Sequence, residues 1–146
     1  MATTASITIS SNILDSMPFS VSASMTMYKA GSTIDLEETT GLANRAYTAT
    51  TQVDLITVAN ESVTAGGANK VYIRNTGTDK EQHFKITLAD AADDTEEIGR
   101  LYGQDWMLFP WDANETGGAA HANNEDVTIK MNDATETVIE YMVFFE

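Results

Sequence analysis

Apolar and hydroxyl-bearing side chains alternate with period two along much of this chain. Phe19, Val21, Ala23, Met25 and Met27 interleave with Ser20, Ser22, Ser24, Thr26 and Tyr28. That spacing predicts a strand with one apolar face against a core and one hydroxyl-rich face outward. A helix would scatter the same residues round its circumference, and serine at this density is poor for helix interiors. The same reading predicts strands over 6–10 (Ile7, Ile9), 32–36 (Ile34, Leu36) and 52–59 (Val53 and Leu55, with Ile56 and Val58 on the other face). It continues over 70–74 (Val71, Ile73), 83–88 (Phe84, Ile86, Leu88), 126–131 (Val127, Ile129, Met131) and 137–146 (Ile139, Tyr141, Val143, Phe145).

Turn chemistry separates these runs. Ala65-Gly66-Gly67-Ala68, Asn75-Thr76-Gly77-Thr78 and Glu115-Thr116-Gly117-Gly118 supply Gly or Asn where the backbone needs positive φ. Asn132-Asp133-Ala134 fits a tight turn that would join the last two strands as a hairpin. Residues 90–100 fit either one helical turn or a loop leading into a strand around Ile98 and Leu101; Gly99 and Gly103 bracket the apolar residues and favour the loop. Residues 31–51 are weakly patterned and read as an extended arm or long surface loop, or else as an irregular edge of the sheet. Many short strands at this spacing, with little helix, predict an all-β antiparallel β-sandwich, jelly-roll or immunoglobulin-like, formed as one domain over residues 1–146.

Two segments are apolar on both faces. In Trp106-Met107-Leu108-Phe109-Pro110-Trp111, alternation puts Trp106, Leu108 and Pro110 on one side and Met107, Phe109 and Trp111 on the other. Near the C-terminus, Val138, Met142 and Phe144 oppose Ile139, Tyr141, Val143 and Phe145. Such strands are either central between packed layers or part of a subunit interface. Their joint occurrence makes Trp106, Met107, Phe109, Trp111, Tyr141, Met142, Phe144 and Phe145 the candidate interface residues of a homo-oligomer, with core packing as the alternative.

Charge and composition narrow the function. With 22 acids against 8 bases the formal net charge is -14, which repels nucleic-acid phosphates and anionic membranes. No cysteine is present, so thiolate metal sites and internal disulfides are excluded. The N-terminus lacks the basic and apolar regions of a secretory signal, and no apolar run reaches the length of a membrane-spanning helix. The sequons at Asn60 and Asn114 are short enough to occur by chance. His83 and His121 are the only histidines, and both read as solvated side chains rather than bases of a nucleophilic triad. The acids Asp90, Asp93, Asp94, Glu96 and Glu97 lack the spacing of a calcium-binding helix-loop-helix and read as a solvated acidic loop, with Ca²⁺ chelation left open. Neither a phosphate-binding glycine loop nor another cofactor motif is present, so the chain reads as a non-enzyme without a cofactor.

The second half resembles small β-sandwich virion structural proteins of tailed bacteriophages, of the capsid decoration (cement) type. The residues that carry the resemblance are Val71-Tyr72-Ile73-Arg74-Asn75-Thr76-Gly77, the strand from Phe84 to Leu88, Leu101-Tyr102-Gly103, the aromatic strand from Trp106 to Pro110, and the closing strands from Val127 to Phe145. The glycine after Leu101 comes one place early for that pattern. The resemblance implies a virion location, manufacture in the host cytoplasm without export, and the major capsid protein or other virion subunits as partners. It carries over no catalytic residue. A tail or neck component is the structural alternative. A carbohydrate-binding β-sandwich, with Trp106, Trp111 and Tyr102 as a stacking platform, is the alternative from another class.

Overall fold

A computed structural model of the chain describes residues 3–11, 19–28, 36, 38–57, 68–88, 97–112 and 126–145. These residues form eleven strands, and none of them is helical: β1 (Thr4–Ser11), β2 (Phe19–Thr26), β3 (Glu38–Thr39), β4 (Ala43–Tyr47), β5 (Val53–Ile56), β6 (Ala68–Asn75), β7 (His83–Leu88), β8 (Glu97–Tyr102), β9 (Trp106–Asp112), β10 (Val127–Met131) and β11 (Thr137–Phe145). Two antiparallel sheets make the sandwich. One has the order β5-β10-β7-β8; in the other, β11 and β6 are central, β9 is one edge, and β3 and β4 share the opposite edge along β11. Among the described strands, β1 and β2 pair only with each other.

The expected period-two phase sets the core. Val71, Ile73, Phe109, Trp111, Ile139, Tyr141, Val143 and Phe145 from the five-stranded sheet meet Leu55, Phe84, Ile86, Leu101, Val127, Ile129 and Met131 from the four-stranded one. Strand β10 turns Val127, Ile129 and Met131 into the core, and on its outer face Thr128 is buried while Lys130 is half-buried. Its Thr128 hydroxyl donates to the Thr87 carbonyl (3.3 Å) and accepts from Gln52 Nε2 (2.7 Å), which satisfies a polar group that has no access to water.

Three expectations change. The last two strands are not a hairpin: β10 lies in the four-stranded sheet and β11 in the five-stranded one. Both strands have an apolar face to bury, and packing those faces against each other across the core removes more apolar surface from water than pairing them edge to edge. The turn at 132–135 is therefore an arch between layers. Within residues 31–51, the described positions 38–47 supply β3 and β4, the irregular edge. Gly41, at φ 78°, kinks the chain between them, while the Thr40 N–H donates to the Val143 carbonyl (3.0 Å) and keeps that edge attached. The strand expected over 32–36 lies outside the described residues except for Leu36, which is buried. Of 90–100, residues 90–96 lie outside them, and the strand around Ile98 and Leu101 is β8.

The arches are fastened by side-chain amides. Asn75, fully buried at the end of β6, donates from Nδ2 to the Leu101 carbonyl (3.1 Å) and accepts from the Gly77 N–H (2.9 Å). Its backbone N–H donates to the Asp105 carbonyl (2.9 Å), and its carbonyl accepts from the Gln104 N–H (3.0 Å). Gln104, at φ 75°, donates to the Thr76 and Gly77 carbonyls (both 2.8 Å). Gly103 is the required neighbour, because a Cβ there would stand 2.1 Å from the Asp79 carbonyl oxygen. On the other flank, Gln82 Nε2 donates to the Thr135 carbonyl (2.6 Å), joining the β6–β7 arch to the β10–β11 arch. We expect Asn75→Ala to lower stability by about 2–4 kcal/mol, since it orphans a buried carbonyl and an N–H together. Urea denaturation should show the midpoint shift with an unchanged slope.

Candidate functional site

The sandwich closes its own core, so any docking surface lies outside it. The N-terminal hairpin is the largest feature there. In its register, Ala5, Ile7 and Ile9 stand opposite Met25, Ala23 and Val21, and the hydroxyl residues Ser6 and Thr8 stand opposite Ser24 and Ser22. The hydroxyls form a ladder, with Ser6 donating to Ser24 (3.2 Å) and Thr8 bonded to Ser22 (3.4 Å). The apolar face was expected against a core, yet Val21 is 52% exposed, and Ile7, Ile9 and Met25 are similarly open. The core is already filled by the two sheets, so among the described residues this face meets only β9, across a groove.

The hairpin is moored at its base. The Met27 N–H donates to the Thr3 carbonyl (2.8 Å), and the Leu36 N–H donates to the Met27 carbonyl (3.0 Å). Met27 is buried and lines a crevice of about 250 Å³ with Tyr72, Leu108, Met142 and Phe144 on the outer face of the five-stranded sheet. Farther along, Ile7 and Met25 face Trp106, Met107 and Leu108 across a groove of about 480 Å³. Hairpin and β9 thus present one apolar surface. No charged residue occurs in 1–14 or in 16–28.

The eight interface candidates divide by phase. Phe109, Trp111, Tyr141 and Phe145 are in the core, Trp111 with only 1% exposure. Met107 is partly buried against the core. Met142 and Phe144 are half-buried beneath the hairpin base, and Trp106 stands 51% exposed beside the groove. The structure brings Trp106, Met142 and Phe144 together on one outer face and puts the other five in or against the core. Ile7, Ile9, Val21 and Met25 were missed as surface residues. Spacing gave no signal of their exposure, because Ile7, Ile9, Val21 and Met25 alternate as core residues do.

Trp106, Trp111 and Tyr102 do not share a face. Trp111 points inward, and Tyr102 lies on β8, its ring 4.6 Å from that of His83. Trp106 instead neighbours Tyr72, with ring centroids 6.5 Å apart. Tyr72 donates to Glu140 (2.9 Å); burial, and then this carboxylate, push its phenol above the ordinary value. His121 and Asp90 to Glu96 lie outside the described residues. Glu97 is described, and cations hold it: Arg100 Nε donates at 2.8 Å, and Lys85 Nζ lies 2.9 Å away. Among the described residues no cluster of three His, Asp or Glu could hold a metal ion. Comparison with known proteins gives no significant match to a protein family, a curated protein or a solved structure.

Two outcomes are expected. Trp111→Ala should cost about 3–5 kcal/mol of stability, and Trp106→Ala should leave the melting transition nearly unchanged. Arg100 first, and then Lys85, hold the Glu97 carboxyl at about 2 against an ordinary 4.5. Its contribution is therefore fully present above pH 4.5 and is lost as pH falls through about 2. Carboxyl-detected NMR titration should show this low value, and Arg100→Gln should raise it.

Proposed function

We propose that this chain is a phage virion structural protein, a capsid decoration (cement) protein that binds the assembled shell and stabilises it without touching the genome. The observation that carries the reading is the hairpin, whose uncovered apolar face runs on to Trp106. Soluble monomers rarely leave such a surface open, whereas assembly proteins use it as the buried centre of a contact. The kind of partner follows from charge. A chain at -14 can approach another protein most easily through a neutral surface, and the hairpin supplies one. The acidic remainder would face outward and keep decorated particles apart.

The virion assignment rests on the resemblance of the second half, and one feature of that motif has a clear structural use. The Asn-Thr-Gly turn at 75–77 and the glycine at 103 form the fastened arch between layers. A shell protein without disulfides needs its layers locked by such means. Binding assembled lattice in preference to dissociated subunits would stabilise the shell by mass action. The major capsid protein is the partner this reading names, and the same face would also bring decoration subunits into contact as a homo-oligomer.

The test is co-sedimentation with shells and particle melting, using wild type, Ile9→Ser and Val21→Ser. Each burial is worth about 1.5–3 kcal/mol, so each variant should weaken attachment roughly tenfold to a hundredfold. Their own melting temperatures should not move, because neither side chain is in the core. Variants that bind shells like wild type would remove the hairpin from the account. Tight binding to duplex DNA would remove the decoration reading.

A further inference from the structure

Cross-strand register sets a different row of polar residues on the outer face of each sheet. On the four-stranded sheet, Lys130, Lys85 and Arg100 stand opposite one another across β10, β7 and β8. On the five-stranded sheet the row is mixed. Asn44, Glu140, Arg74 and Trp106 are successive partners across β4, β11, β6 and β9. Three strand spacings, about 14 Å, separate its ends. At the Trp106 end, Tyr72, Arg74, Gln104 and Trp106 line a groove of about 460 Å³.

The polar groups of this row are held in place without being used up. Glu140 and Arg74 are opposite charges at directly paired positions, an arrangement that ordinarily favours a bond between them. Each is held by a neutral neighbour instead. The Tyr72 hydroxyl donates to Glu140 Oε1 (2.9 Å). Arg74 Nη2 donates to Gln104 Oε1 (3.2 Å), and the Gln104 amide is itself fixed on the Thr76 and Gly77 carbonyls. A guanidinium has five N–H groups and a carboxylate two oxygens, so both keep capacity for a ligand. Among the described residues, Glu140 Oε2, the Asn44 carboxamide and the Trp106 indole N–H have no hydrogen-bond partner. Trp106 is half-exposed, and its ring is tilted 38° to that of Tyr72. Open indole surface therefore stands beside a fixed donor and a fixed acceptor.

We propose that this groove binds a neutral saccharide, with a pyranose ring laid on Trp106 and its hydroxyls bonded by Arg74 and Glu140. A pyranose has an apolar C–H face for the indole, and hydroxyls at its rim that are each both donor and acceptor. The row supplies the complement: donors from Arg74, an acceptor in Glu140, and both kinds from Asn44. Planar guanidinium and carboxylate groups present paired polar atoms that suit adjacent hydroxyls. A small anion would meet Glu140 and the net charge of -14, and a small cation would meet Arg74, whereas a neutral ligand incurs neither cost. Of the stacking platform expected from the sequence only Trp106 takes part, and register gives it new partners. The site shares Trp106 with the hairpin groove but does not depend on the decoration reading.

The experiment follows tryptophan emission of the full chain during titration with cellopentaose, mannopentaose and galactotetraose. Glycerol serves as a polyol without a ring face. Trp111 is buried in the core, so a change reports on Trp106. We expect a saturable change with at least one of the three saccharides, at a Kd of about 1 mM or tighter, and none with glycerol. Variants are compared by titration calorimetry, since Trp106→Ala removes the reporter. That variant should weaken binding about tenfold or more, and Trp106→Phe, which keeps a ring, only about threefold. Arg74→Gln and Glu140→Gln should each weaken it about tenfold, and Asn44→Ala about threefold. Ile9→Ser should bind saccharide as wild type does, which separates this site from shell docking. The Trp106 variants leave the core intact, as an unchanged melting transition would show, and they carry the test if a charge variant fails to fold. Absence of saturable binding to all three saccharides, or equal affinity in Trp106→Ala, would overturn the site. Binding that needs Trp106 but ignores both charge substitutions is apolar adsorption and would also overturn it.

Discussion

The carboxamide of Asn75 is where the two layers of this protein are joined. Chain passage from β6 to β7 and from β8 to β9 crosses between sheets, and each crossing would leave backbone groups unpaired at the rim of an apolar core. One buried side chain satisfies a carbonyl of one crossing and an N–H of the other. Gln104 completes the join in its positive-φ conformation, and Gly103 allows the backbones to approach. Leucine or isoleucine at position 75 would bury more hydrocarbon and still lose the join, because buried peptide groups without partners cost more than the added apolar contact returns.

With the layers fixed in this way, inside and outside are set by strand parity alone. The inward phase of β9 and β11 is used up in the core, and their outward phase, Trp106, Leu108, Met142 and Phe144, is what the hairpin base rests on. Among the described residues the hairpin completes no third layer. An isolated two-stranded ribbon is marginal in water, so its stability depends on its mooring at Met27 and on whatever covers its apolar face. The two outer faces of the sandwich then differ in chemistry: apolar and neutral beneath and along the hairpin, cationic across β10, β7 and β8.

Strand positions and their inward residues were legible because a period of two is a local property. Phe84, Ile86, Val127, Ile129 and Met131 could be placed on a buried face from spacing alone. Which sheet a strand joins is not local. Asn132-Asp133-Ala134 has the same turn chemistry whether the chain doubles back within a sheet or arches over to the next one, and only the competition for core volume decides. The exposed hairpin face was misassigned for a related reason. Ile7, Ile9, Val21 and Met25 alternate like core residues, and nothing in their own neighbourhood records that the remaining strands already fill the interior. The row Lys130, Lys85 and Arg100 was invisible in one dimension, since its members come from three strands and meet only through cross-strand register.

Pro110 sits in β9, which among the described strands pairs only with β6. A sheet edge is a template on which another chain can polymerise, and a proline within it removes one of the donors such growth requires. This matters most where many copies are held side by side at a high local concentration. There, a single open edge repeated over a surface would seed fibrous aggregation between neighbours. The interruption at Pro110 permits lateral crowding while denying strand-by-strand growth, so contacts between copies must be made through side chains, whose geometry can be specific and reversible.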